Sequence, residues 1–506
     1  MEGDGSLPVA EAAAPAAEIL PGRVGDLSLR SGKVSFRAPG QTAWAEAELN
    51  QPIYAGAAVR TDPQALSEIR IGPNTVNISS NSEIEVIALR DQATQIALTH
   101  GRIGLHLRQI AEVESVEIDT PRGSVWLLDP GSYDVNAGAG DQPLQITAFE
   151  GSARVIRGDH DTRIGSGQMA VLAGSDPTGV SIETAVPDSF VEWCRARDYD
   201  ETRLAATYYI STYMTGFAEL DAAGIWKINS EYGPIWVPIA PEEWAPYRFG
   251  HWSWMAPWGW TWIDDQPWGF APSHYGRWVL VDDHWAWVPG SFSARPLYAP
   301  AVVAFLGTPG VGLSSEEGAT VAWFPLAPGE AYWPSYTRDV DYVRDLNRGN
   351  VQDVGTIRIP ADGEPPLELF NEEFANRQYA TVVPRSVFIN GRPVAPARMT
   401  LPEHRLQNAP VLMASPQIAP ASVQRVVHAV PTASTPASRG ALKTARTGST
   451  KSIRAASMSP QGRAQPVVIR GAHLRAPSYA GVTRGRQMIV LQLAHPRSGT
   501  ERRARR

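Results

Sequence analysis

Two acidic doublets, Asp264-Asp265 and Asp282-Asp283, stand among aromatic residues near the middle of this 506-residue chain. Paired carboxylates at a suitable separation can act as acid and nucleophile or base on a glycosidic bond. Each doublet, however, precedes a tryptophan (Trp268 or Trp285) in a turn-like setting, where aspartate bonds its own backbone. Turn chemistry is therefore the first reading, a calcium or polar ligand contact the second, and hydrolysis the last. The aromatic residues point to binding instead. Trp252, Trp254, Trp258, Trp260 and Trp262 alternate with small or polar residues, and Tyr275, Trp278, Trp285 and Trp287 follow. An indole face can hold the apolar face of a sugar ring while nearby polar groups take its hydroxyls. The same indoles serve equally as the core of a domain poor in Leu and Ile, and one at the rim can do both.

Other chemistries find little support. His251, His274 and His284 lie among the tryptophans without a metal-binding spacing, which favours hydrogen-bonded structural roles. Cys194 is the single cysteine, so no intramolecular disulfide forms, and a small buried hydrophobe is its expected role. No phosphate-cradling glycine loop and no GxSxG elbow occur, and Gly165-Ser166-Gly167 reads as a turn. No catalytic residue, metal or cofactor is expected.

The elements that must position the aromatic residues are strands. Fourteen of the 17 tryptophans fall between Trp226 and Trp333. Alternate residues of a strand share a face, so Trp252 points with Trp254 and Trp260 with Trp262. Pro257 and Gly259 mark a turn between the pairs, which predicts a hairpin with tryptophans stacked across it. Gly250-His251-Trp252 is echoed 26 residues later by Gly276-Arg277-Trp278, and Trp260-Thr261-Trp262 by Trp285-Ala286-Trp287. A weaker echo surrounds Tyr232-Gly233 and Trp236. One compact Trp-rich β-domain with internal pseudo-repeats, residues 225–347, follows from this.

Before it, residues 22–175 carry short alternating runs broken by turn residues, such as Glu83–Leu89 and Leu144–Phe149, and read as a β-sandwich or solenoid-like domain. Residues 186–224 read as a helical connector starting at Asp188-Ser189. Residues 348–390 add strand-like pieces, among them 381–389. The ends, 1–21 and 391–506, are Ala/Pro-rich and are expected to be disordered. The formal charge of −7 divides unevenly. The tail from 391 holds 19 basic and 2 acidic residues, on an otherwise acidic body. That tail is almost without aromatics, which argues against a single-strand nucleic-acid binder. No positively charged, apolar leader opens the sequence, and no apolar run approaches the roughly 18 residues of a membrane span.

The stretch from Ala58 to Val155 resembles the periplasmic ferric-citrate-regulator type domain (FecR-like). The resemblance rests on Ala58-Val-Arg-Thr61, Gly72-Pro-Asn-Thr75, Leu98-Thr-His-Gly101, Thr120-Pro-Arg-Gly123, Pro130-Gly131-Ser-Tyr133 and Phe149-Glu-Gly151-Ser-Ala-Arg-Val155, in that order and spacing. The block Trp244–Gly290 is similar to an aromatic domain of unknown function that commonly follows it in Gram-negative proteins. The resemblance implies export to the periplasm and a place in the cell envelope. The expected chain is mainly β and non-enzymatic: a FecR-like domain, a short helical connector, a Trp-rich β-domain and a disordered basic tail. Carbohydrate or peptidoglycan is the favoured ligand. The alternatives are an envelope-signalling fragment docking a protein partner through the FecR-like domain, and, last, a glycoside hydrolase.

Overall fold

The computed structural model describes residue 20 and residues 22–421, apart from 139, 141, 173–178, 199–202, 294, 309, 311, 316–317, 358–367, 370–372 and 413–414. The N-terminal stretch 1–19 and the basic tail from 422 onward lie outside the described residues. The chain is mainly β. Among the described residues, no helix is long and apolar enough to cross a membrane.

Alternation in the sequence becomes two facing sheets of nine strands. The first orders Val180–Thr184, Gln168–Leu172, Leu144–Ala148, Gly131–Asn136, Arg102–Leu107, Asn74–Ile78, Leu66–Ile71, Gly25–Ser31 and Gln51–Ile53. The second orders His160–Ile164, Ala153–Arg157, Gly123–Leu127, Ser115–Thr120, Ala93–His100, Ser82–Arg90, Ala58–Thr61, Val34–Arg37 and Ala45–Glu46. Ile69, Val76, Ile103, Val135 and Ile146 from the first meet Ile84, Val86, Ile96, Ile118 and Val125 from the second in one core. Every second residue faces inward, as period-2 sequences require. The two sheets face each other as a sandwich, and the chain passes back and forth between them in nearly sequential order, a solenoid-like winding.

The connector carries its longest helix at its start. Asp188 caps the helix Ser189–Arg197, its carboxylate accepting from the backbone N–H of Phe190 and Val191. Beyond it come a short 3-10 turn at Ala205–Tyr208 and a four-residue helix at Leu220–Ala223. The run Thr207-Tyr-Tyr-Ile-Ser-Thr-Tyr213 is rich in β-branched, hydroxylated and aromatic side chains, which sustain helix poorly. Gly216 then takes φ +85°. This stretch runs through successive tight turns, with Met214 N–H bonded to Ser211 O, Phe217 N–H to Met214 O and Leu220 N–H to Phe217 O, and Ile210, Met214, Phe217 and Leu220 join the aromatic core.

Three tryptophan hairpins follow, one more than the clear repeat indicates. They are Gly224–Asn229 with Gly233–Pro238, Gly250–Met255 with Gly259–Asp264, and Arg277–Val281 with His284–Val288. Each sets one tryptophan opposite another: Trp226 opposite Trp236, Trp252 opposite Trp262, Trp278 opposite Trp287. The leading glycines, Gly224, Gly250 and Gly276, explain the Gly-x-Trp signature. A Cβ there would lie 2.3, 2.7 and 2.4 Å from the indoles of Trp236, Trp262 and Trp287 respectively. Glycine lets each indole lie flat on the opposing backbone. The indole N–H groups then find acceptors at Leu220 O (3.0 Å), Asp264 Oδ2 (2.9 Å) and Tyr275 O (2.9 Å). The first and third hairpins share a four-stranded sheet through Trp236 and Trp287, and the second stands as its own pair of strands.

The tip of the third hairpin is the doublet Asp282-Asp283, with φ of +49° and +62°. Two left-handed residues make a tight two-residue turn whose twist suits the flanking strands. Asp283→Gly is expected to stabilise the protein by about 0.5–1 kcal/mol by relieving one left-handed side chain. Urea midpoints test this, and an unchanged or lowered midpoint would count against it.

The aromatic core does not end at residue 347. Phe388, Val394, Leu412 and Ile418 close it. The strand expected across 381–389 stops at Pro384, and Arg385–Ile389 is a helix that brings Phe388 onto Trp260, ring centroids 4.3 Å apart. Residues 391–412, expected to be disordered, are ordered. They form the helix Glu403–Asn408 and the strand Val411–Leu412, which pairs with Val303–Leu306. Isolated apolar residues, rather than a periodic run, anchor this segment: Val394, Leu406, Val411 and Leu412 are all buried.

Candidate functional site: a groove at the second hairpin

Burial sorts the aromatic candidates. Trp252, Trp258, Trp260, Trp262, Tyr275, Trp278 and Trp287 are buried, so they form core and present no stacking face. Their rings meet edge-on or tilted rather than in the stacks expected. Trp252 lies 5.5 Å from Trp262 at 71°, and Trp258 4.7 Å from Tyr54 at 63°. Such edge-to-face contacts suit the aromatic quadrupole. Trp285 is half-buried against Tyr379. Trp254 alone of these nine is well exposed, at 48%.

Trp254 differs because of its place on the hairpin. It stands two pairs nearer the turn than Trp252, opposite Trp260, and meets that ring edge-on at 5.4 Å and 85°. Gly259, with φ +86°, leaves room for the indole: a Cβ there would come 3.4 Å from the Trp254 ring. The buried Trp260 thus braces one edge of an indole whose other side meets solvent.

Around Trp254 runs an open groove of about 410 Å³, lined also by Glu48, His251, Ser253, Asn390 and Gly391. His251 Nε2 sits 2.8 Å from Glu48 Oε2. Burial opposes charge on this imidazole, but the Glu48 hydrogen bond and the charges of Glu48 and Asp265 together outweigh it and hold the ring above its usual value. The rim thus presents a hydrogen-bonded imidazole–carboxylate pair beside an aromatic face. Glu48 and Asn390 carry no local signal in the sequence. They reach the groove from the loop before Gln51–Ile53 and from the end of the helix Arg385–Ile389.

The acidic candidates part company. Asp264 is buried, accepts from Trp262 Nε1 and Gln266 N at 2.9 Å each, and is pushed up to about 7 by burial. Its backbone oxygen accepts from Asn50 Nδ2 at 2.7 Å, which ties the second hairpin to the sandwich. Asp265 is exposed, and Asp282 and Asp283 are exposed at the tip of another hairpin. Of the histidines, His274 is buried with Nδ1 2.8 Å from Ala299 O, and His284 is exposed. Among the described residues, no group of three or more His, Cys, Asp or Glu is placed to hold a metal.

Residues 217–330 match the model of a family of unknown function, DUF6600. No curated protein matches the chain. Two crystal structures described as a "putative anti-sigma factor" from Parabacteroides distasonis ATCC 8503 show similarity at 10% identity and a TM-score of 0.25. One match covers 27% of this chain and 64% of that chain, the other 30% and 70%.

Proposed function

We propose that this protein is a non-enzymatic component of the bacterial envelope that binds carbohydrate, with peptidoglycan the favoured class, in the groove at Trp254. The observation that carries this reading is the half-exposed Trp254 indole, braced by Trp260 and flanked by the His251–Glu48 pair and Asn390. The indole offers a flat apolar face to a pyranose ring, and the polar rim offers both donors and acceptors to its hydroxyls. An open groove suits a polymer that must enter from the side. The placement in the envelope follows from the FecR-like resemblance of the sandwich.

The test is a titration of the full chain with peptidoglycan fragments and soluble polysaccharides, read by intrinsic fluorescence with iodide as quencher. A bound glycan is expected to protect the quenchable indole. Trp254→Ala is expected to weaken binding about tenfold, roughly 1.4 kcal/mol, while moving the melting temperature by no more than about 2 °C. Unchanged affinity in that variant, or no glycan response in the native chain, removes this reading and turns the search to protein partners of the sandwich.

A further inference from the structure

A second cavity, of about 320 Å³, lies between the outer face of the first sheet and the helix Ser189–Arg197. Its floor is a straight cross-strand row. Glu68 pairs with Asn77, Asn77 with Gly104, and Gly104 with Asp134, on four successive strands. Glu68, Asn77 and Asp134 are all buried. A sheet face roofed by a helix is ordinarily filled with branched apolar residues. Here the floor is polar and its centre has no side chain. Gly104 admits the helix from above, since a Cβ there would lie 3.0 Å from Cys194 Sγ. Phe149 and Val191 supply apolar wall.

The charges on the floor of this cavity are paired within the protein. Glu68 accepts from Arg197 Nε at 2.7 Å and from Arg70 Nε at 3.0 Å. Arg102 Nε reaches both oxygens of Asp134, at 2.9 and 2.8 Å. At the edge, Asp198 is paired with His106 and Arg108. A charged ligand would have to break one of these pairs. What is unmet is neutral: Asn77, 3% exposed, has an Oδ1 with no hydrogen-bond partner. An enclosed carbonyl left without a donor is destabilising, and a ligand N–H relieves it.

We propose that this cavity binds a small uncharged molecule through an amide group, whose N–H is donated to Asn77 Oδ1 while its apolar remainder packs on Phe149 and Val191. At roughly 30 Å³ per water-sized unit, the space suits about ten non-hydrogen atoms, enough for a blocked amino acid whole and for the acetamido end of an N-acetylated amino sugar. Peptide amides and N-acetylated amino sugars both carry the required group. This site is separate from the Trp254 groove and does not depend on it.

The single cysteine makes the site measurable. Cys194 lines the cavity, and burial pushes its thiol up to about 12, so alkylation at about pH 9 is slow and easily followed. Iodoacetamide is itself a primary amide. With the full chain, its alkylation rate at Cys194 is expected to saturate with concentration. N-acetylalaninamide or N-acetylglucosamine, at about twice its dissociation constant, is expected to slow the reaction roughly threefold. The better protector identifies a peptide or an amino-sugar source. Asn77→Leu is expected to abolish both saturation and protection, and Val191→Phe, which fills the space from the helix side, does the same if Asn77→Leu does not fold. Trp254→Ala is expected to change neither, which separates this site from the glycan groove. Saturation-transfer NMR with the same two compounds gives a second reading of occupancy. A rate strictly proportional to iodoacetamide, with no protection and no transfer from either compound, would overturn the proposal and leave the cavity to water.

Discussion

Trp262→Ala is expected to destabilise the protein by about 3–5 kcal/mol from lost burial and the cavity left behind. Trp262 is fully buried and touches Trp252, Tyr247 and Trp323. Its indole N–H is also one of the two donors to the Asp264 carboxylate, and removing a donor from a buried acceptor costs about 1–3 kcal/mol more. Against a total stability of roughly 5–15 kcal/mol, that is a large share. Because Asp264 also anchors Asn50 of the sandwich, the loss spreads beyond the hairpin. Thermal melts of Trp262→Ala and Trp254→Ala, two alanine substitutions in one strand pair, are expected to differ by more than 10 °C, or about 3 kcal/mol or more for a unit of this size. Similar melts for the two would mean that the tryptophan core is far more plastic than its packing indicates.

The second large effect concerns Asp26. It sits on the strand Gly25–Ser31 opposite Pro52 and Arg70, fully buried, and neither carboxylate oxygen has a hydrogen-bond partner. Burial is the main force raising its proton affinity, Glu219 and Glu68 add to it, and Arg70 works the other way. The carboxyl therefore holds its proton well above the usual carboxylate range. A group whose folded-state value is raised stabilises the fold fully below its unfolded value near 3.9. That contribution then fades as pH rises toward the folded value, by about 1.4 kcal/mol for every pH unit over which the proton is retained. Asp26→Asn keeps the shape and removes the titration. The variant is expected to match the native protein near pH 4 and to exceed it progressively as pH rises. Urea unfolding across pH 4 to 9 checks this, and parallel pH slopes for the two proteins would place the loss of stability with rising pH elsewhere.

How much of this was legible in the sequence depends on whether a feature is local. The second and third hairpins were readable because their glycines, turns and tryptophans lie within one short window. The first was partly hidden: Gly224, Trp226 and Trp236 keep the 26-residue step to Gly250, Trp252 and Trp262, but Trp236 stands alone where the later hairpins carry a Trp-x-Trp doublet. Burial was not legible. Trp252 and Trp254 share the same strand and the same alternation, yet one is enclosed by Phe305, Trp323 and Phe388 and the other reaches solvent. Those enclosing rings come from elements remote in sequence. The ordered stretch after Asn390 was hidden for a related reason. Val394 is held by its backbone N–H to Gly250 O, and Ile418 by its carbonyl to Trp260 Nε1, contacts that no composition signals. The groove shares this property, with Glu48 and Asn390 arriving from opposite ends of the described chain.

The edge-on tryptophan pairs have an optical consequence. Indoles 5.4 and 5.5 Å apart at 85° and 71° are close enough for their ultraviolet transitions to mix. The native protein should therefore carry an exciton couplet in circular dichroism on top of its sheet signal. One such pair is wholly interior and the other half in solvent, so a ligand settling on Trp254 would perturb only part of that couplet. Unfolding would erase it entirely. The same arrangement that packs the protein's core gives it a built-in spectroscopic marker that separates occupancy from denaturation.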